Sequence, residues 1–121
     1  MGVHDRQEQA DRAAASGDLA TARALLEREV QSAGSDPSLW LKLSAVRRAG
    51  GDLSGALAAV ERSLGLQPRD FGALLHRAML LEQLGDTRCD QAFGHALAQL
   101  PPGANVPAPM EISAINRMIS R

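Results

Sequence analysis

The dipeptide Gly-Asp occurs three times in this chain, as Gly17-Asp18, Gly51-Asp52 and Gly85-Asp86, each 34 residues after the last. Other positions keep the same step: Ala10, Ser44 and Ala78, then Ala22 and Ala56, Asp36 and Asp70, and Trp40 and Leu74. Later in the third unit the step shortens by one. Val60 aligns with Phe93, Leu64 with Leu97 and Pro68 with Pro101, so one residue is lost between Asp86 and Ala92. A fixed period of this length is the mark of a repeat architecture. Each unit buries its apolar face against the next, and a sequence of this kind has few other ways to fold.

Within a unit the pattern predicts two helices and a tight turn. Asp36 is placed to cap a helix that begins at Pro37, where the missing N–H costs nothing. Leu39, Trp40, Leu43 and Val46 form its apolar stripe. Glycine at Gly50-Gly51 ends it, and Asp52 caps a second helix bearing Leu53, Ala56, Leu57, Val60 and Leu64. Asp70 is placed to cap the following one. The third unit repeats the scheme with Leu74, Leu75, Ala78 and Leu81, then Ala92, Phe93, Ala96 and Leu97. Small residues at Ser44, Ala56, Ala78 and Ala96 let paired helices approach closely. Composition agrees: alanine and leucine dominate, β-branched residues are few and only 2% is aromatic, which favours helix over strand.

This arrangement resembles the tetratricopeptide repeat. Trp40, Leu43, Ser44, Ala56, Val60, Leu64 and Pro68 match the family's pattern in the middle unit, and Leu74, Ala78, Leu81, Phe93, Ala96 and Pro101 in the third. The first unit departs from it at Arg6 and Gln9, which stand at normally apolar positions, while Ala22, Leu25, Leu26 and Val30 fit. The resemblance implies an all-α fold of three helix–turn–helix repeats, stacked as a short right-handed solenoid over 3–102, with units of about 3–36, 37–70 and 71–102. A proline-rich connection at 103–108 would lead to a last helix at 109–121, carrying Met110, Ile112, Ile115, Met118 and Ile119. That helix reads as a cap on the stack, as a partner-binding or homo-oligomerising element, or as the lead-in to a further domain.

The net charge of −1 gives no basic field for nucleic acid. A single cysteine excludes an intramolecular disulfide. No apolar run reaches the ~20 residues that span a bilayer, and no signal peptide opens the chain. The expectation is a cytoplasmic protein with no nucleic-acid or membrane partner. Catalytic templates fail as well, with no glycine-rich phosphate loop, no Gly-x-Ser-x-Gly and no His-Glu-x-x-His. Cys89 and His95 stand six apart on one helix, too far round to act as nucleophile and base. Cys89 reads as a buried, inert thiol in the register of Ala22 and Ala56, and Trp40 as the anchor of the middle unit. Arg77 stands in the core register of Leu43, its stem packed and its guanidinium paired with a carboxylate or helix end. No catalytic residue, cofactor or metal is expected.

In the tetratricopeptide family the first helix of each unit lines a concave ligand face. Carried over by register, that groove comprises Ser38, Leu41, Lys42, Ala45 and Arg48 in the second unit and Gly72, Leu75, His76, Met79, Glu82 and Gln83 in the third, with His4, Gln7, Glu8, Asp11 and Ala14 in the first. The resemblance thus implies a non-catalytic module for a protein or peptide partner. Members that clamp a C-terminal carboxylate use cations and amides at positions that here hold Gln7, Asp11, Lys42, Gly72 and His76. Asp11 would repel such a carboxylate.

A second resemblance, carried by Leu74 to Gly85 and by the Ala-Leu-Ala-Gln-Leu-Pro-Pro run ending at Pro102, is to the helical N-terminal region of bacterial aspartyl/asparaginyl β-hydroxylase-like oxygenases. It implies the accessory domain of an iron- and 2-oxoglutarate-dependent enzyme. Those enzymes hold iron through His-x-Asp/Glu, and none of His4, His76 and His95 is followed two residues later by a carboxylate.

Overall fold

A computed structural model describes residues 3–100 and 103, with side chains from Arg6 onward. These residues form six helices, in order α1 (Val3–Ala15), α2 (Leu19–Ser32), α3 (Pro37–Ala49), α4 (Leu53–Leu66), α5 (Phe71–Gln83) and α6 (Cys89–Ala98). Among the described residues every regular element is a helix. The helical repeat that the period predicts is thus present. The chain divides into two compact units, Met1–Gln67 with α1 to α4 and Pro68–Arg121 with α5 and α6. The last helix expected at 109–121, and nearly all of the connection at 103–108, lie outside the described residues.

Gly-Asp recurs because it does two jobs at one place. Gly17, Gly51 and Gly85 all have positive φ, +87°, +87° and +70°. There each ends a helix in a Schellman turn. The Gly51 N–H donates to the Arg48 carbonyl at 3.0 Å and the Asp52 N–H to Arg47 at 2.9 Å, and the same pair of bonds forms at the other two glycines. Asp18 and Asp52 then open the next helix, their carboxylates accepting from the N–H of Thr21 and of Gly55. Asp36 and Asp70 cap α3 and α5 in the same way. Nothing crowds a Cβ built on Gly51, so Gly51→Ala meets only the left-handed backbone penalty, a loss of about 1–2 kcal/mol. Gly50→Ala, at φ −82°, should be neutral or slightly stabilising by urea denaturation.

In the first unit Ala10, Ala22, Leu26, Val30, Leu39, Leu43, Val46 and Ala59 form one continuous core. The Ser44 hydroxyl donates to the Ala56 carbonyl at 2.6 Å across the α3–α4 contact, and both residues are wholly buried. That is the close approach expected of two small residues. Trp40 departs from its expected place as anchor. Leu39 and Leu43 are fully buried, whereas Trp40 packs half-buried at the edge of the cluster. Its indole N–H donates to the Gly34 carbonyl at 2.8 Å and the Arg62 guanidinium lies over its ring. In the second unit Ala73, Leu74, Ala78, Leu80 and Leu81 of α5 are buried, as are Ala92, Phe93 and Ala96 of α6.

The lost residue shortens the start of α6. Asp86 accepts from the N–H of Arg88 two positions on, and α6 begins only at Cys89. Ala56 lies a full turn inside α4, but its counterpart Cys89 is the first residue of its helix. Cys89 is consequently half-buried instead of buried, which corrects the expectation for it. No described helix is long and apolar enough to cross a membrane.

Candidate partner-binding faces

Each first helix turns its core residues one way and the expected groove residues another. On α3, Leu39, Leu43 and Val46 are buried, while Leu41, Lys42 and Arg48 are half-buried and Ala45 is exposed. The spacing 41, 42, 45 and 48 holds these four on one face. On α5, Leu75, His76 and Met79 are half-buried and Glu82 and Gln83 exposed, again on a single face. On α1, Gln7 is half-buried and Glu8 and Asp11 exposed, whereas Ala14 packs against the core and departs from the expected face; the side chain of His4 lies outside the described residues. Within the first unit, the Lys42 ammonium stands 3.3 Å from the Asp11 carboxylate, which joins the α1 and α3 faces. Leu41, Leu75 and Met79 thus keep part of their apolar surface accessible, with charge of both signs beside them.

Other charges serve the fold. Arg47 stands where the tetratricopeptide family often has an aromatic. One guanidinium nitrogen donates to the Gly55 carbonyl at 3.1 Å and another lies 3.5 Å from Glu27, tying α3 to α4 and α2. Beside it a cleft of about 240 Å³ is lined by Leu19, Ala20, Arg23, Val46, Arg47, Gly50 and Asp52, none of them an expected groove residue. Arg77 is half-buried, and its charge adds the smallest share to a lowering of the Asp86 carboxyl that Arg88 dominates.

Asp86 has its pKa lowered to about 2, chiefly by hydrogen bonds from the Arg88 side chain and backbone. Asp18 is lowered by its bonds from Thr21. A depressed carboxylate adds stability above its ordinary pKa of 3.8, and that contribution is lost as pH falls through the folded value. The thermal midpoint should therefore be flat from roughly pH 7 to 5 and fall between roughly pH 4 and 2. Asp18→Asn and Asp86→Asn should each flatten that fall, read by circular dichroism.

One pair was not foreseen. Glu29 of α2 is fully buried, and its Oε1 lies 2.9 Å from Nη1 of Arg6 on α1. The signal lay in the register, because Glu29 falls at the position of Ser63 and Ala96, both buried, and Arg6 at that of Trp40 and Leu74.

No protein-family model matches this sequence, and no curated protein matches it. Solved structures do. The type III secretion translocator chaperone SycD of Yersinia enterocolitica is 15% identical with a TM-score of 0.88, over 98% of this chain and 84% of that one. SycD in complex with a peptide of the translocator YopD is 21% identical with a TM-score of 0.78, over 97% and 86%. The first tetratricopeptide repeat domain of Spaghetti (RPAP3), bound to an HSP90 peptide, is 13% identical with a TM-score of 0.81, over 98% and 94%. None of these is an oxygenase, and they lend no support to the second resemblance.

Proposed function

From the premise that this chain has the tetratricopeptide-repeat fold, we propose that it is a non-catalytic module that binds a peptide or partner protein through the exposed faces of its first helices. The carrying observation is the accessible apolar surface of Leu41 on α3 and of Leu75 and Met79 on α5, each on the side of its helix away from the buried stripe. A peptide laid on either face would cover its apolar surface, and the charges on that face, Lys42 and Arg48 on α3 or Glu82 on α5, would set direction and encounter rate. Peptide-bound structures of this fold support the reading. The contact between Asp11 and Lys42 favours a ligand without an acidic C-terminus, since a carboxylate arriving at Lys42 meets Asp11 as well. With no Phe, Tyr or Trp among the expected groove residues to serve as an anchor, affinity should be on the order of micromolar.

Selection from a displayed random-peptide library tests this. The wild-type chain should enrich peptides with apolar anchors, and Leu41→Asp/Met79→Asp should weaken them by about 100-fold or more, a loss of ~3 kcal/mol. Its helical circular dichroism should be unchanged. Full-strength binding by that variant would overturn the assignment.

A further inference from the structure

Among the described side chains, those that fasten α1 differ in kind from those of the other first helices. α3 buries Leu39, Leu43 and Val46, and α5 buries Leu74, Leu80 and Leu81. From Arg6 onward α1 fully buries only Ala10, with Ala13 and Ala14 half-buried against the core. Alanine removes little apolar area from water, so the hydrophobic effect holds this part of α1 weakly.

Charge takes the place of leucine. The Arg6 guanidinium grips Oε1 of Glu29 at 2.9 Å, but Oε2 is buried with no hydrogen-bond partner among the described residues. A carboxylate taken from water and half satisfied leaves a standing cost in the docked state. That cost vanishes once α1 moves off and water reaches Glu29. The same pair therefore positions α1 and limits how firmly it is held.

We propose that α1 is a detachable wall: it leaves α2 as a unit, about the turn at Gly17, while α2, α3 and α4 stay folded. Arg6 and Glu29 set how often this happens. Resting on the function proposed above, the consequence is a binding face with two states. With α1 docked, Asp11 neutralises Lys42; with α1 away, Lys42 is released and the α1 side of the face is gone.

A 13-residue helix does not persist alone in water, so undocking exposes its amides to exchange. Hydrogen exchange on the full chain, with no partner present, reads this directly and is independent of whether the binding face is correctly assigned. Amides from Gln7 to Ala15 should exchange at least about tenfold faster than the protected amides of α3 and α4. Arg6→Met, which leaves Glu29 buried and unpaired, should speed α1 exchange a further tenfold or so and leave α3 and α4 alone. Arg6→Met/Glu29→Met should slow it selectively, because an apolar pair replaces a half-satisfied ionic one. Equal protection of α1, α3 and α4 in the wild type would overturn the proposal without any variant. So would Arg6→Met speeding all helices together, or leaving α1 unchanged.

Discussion

Leu43→Ala is expected to lower the stability of the chain by about 3 kcal/mol, within the 2–5 kcal/mol range of buried leucine truncations. Leu43 is wholly buried at the centre of the first unit, among Leu26, Leu39 and Val46. Helix backbones on both sides of it limit collapse into the space a lost isobutyl group would leave. A domain of this size has only about 5–15 kcal/mol in total, so a large share of the folded population is at stake. Urea denaturation followed by the fluorescence of Trp40, the single tryptophan, measures the change. Leu41→Ala, two residues away but half-buried, should cost less than about 1.5 kcal/mol. Equal losses at the two positions would mean that α3 is rotated from the face described.

Ala56→Leu is the second large effect, and it works by excess. Ala56 is wholly buried, and its carbonyl sits 2.6 Å from the Ser44 hydroxyl. Three further carbons have no room unless α3 and α4 separate, and separation breaks that hydrogen bond. Overpacking of this kind costs about 1–3 kcal/mol, and the lost buried bond about 1 kcal/mol more. Ala58→Leu lies on the exposed side of α4 and should stay within about 0.5 kcal/mol of wild type. Thermal melts of the two variants, compared directly, separate close packing from helix propensity.

Local chemistry was the legible part of the sequence. Helix starts at Pro37, Leu53 and Phe71 could be read from Asp36, Asp52 and Asp70, and helix ends from Gly17, Gly51 and Gly85, because caps and left-handed glycines act within a few residues. What sequence order hides is contact between distant residues. Arg6 stood out as a charge at an apolar position, yet its partner lies 23 positions away. Nothing local to Glu29 marks it as buried; only the alignment with Ser63 and Ala96 does. Trp40 misled through its size. A large aromatic at a core register reads as an anchor, but the indole N–H must reach an acceptor, here Gly34 O, and that holds the ring at the margin while Leu39 fills the centre. Cys89 misled because a deletion moves a helix start without moving the register of the later residues Phe93 and Ala96.

The candidate faces were legible only as register. Spacing places Leu41 and Ala45 beside one another on α3 in any helix, and the structure adds the fact that Asp11 reaches Lys42. The α5 residues Leu75, His76 and Met79 obey the same rule within their own unit. Which ligand they suit depends on the shape of accessible surface, and a one-dimensional period carries no record of that.

The Gly-Asp joint behaves as punctuation, a full stop and a capital letter in adjacent characters. Since one residue closes a helix and its neighbour opens the next, every 34-residue stretch carries its own grammar wherever it is copied. A gene that duplicates such a stretch in frame gains a whole sentence without new spelling at the seam. The shortened α6 marks what the grammar tolerates: a letter dropped after the capital delays the word, and the rest is still read correctly.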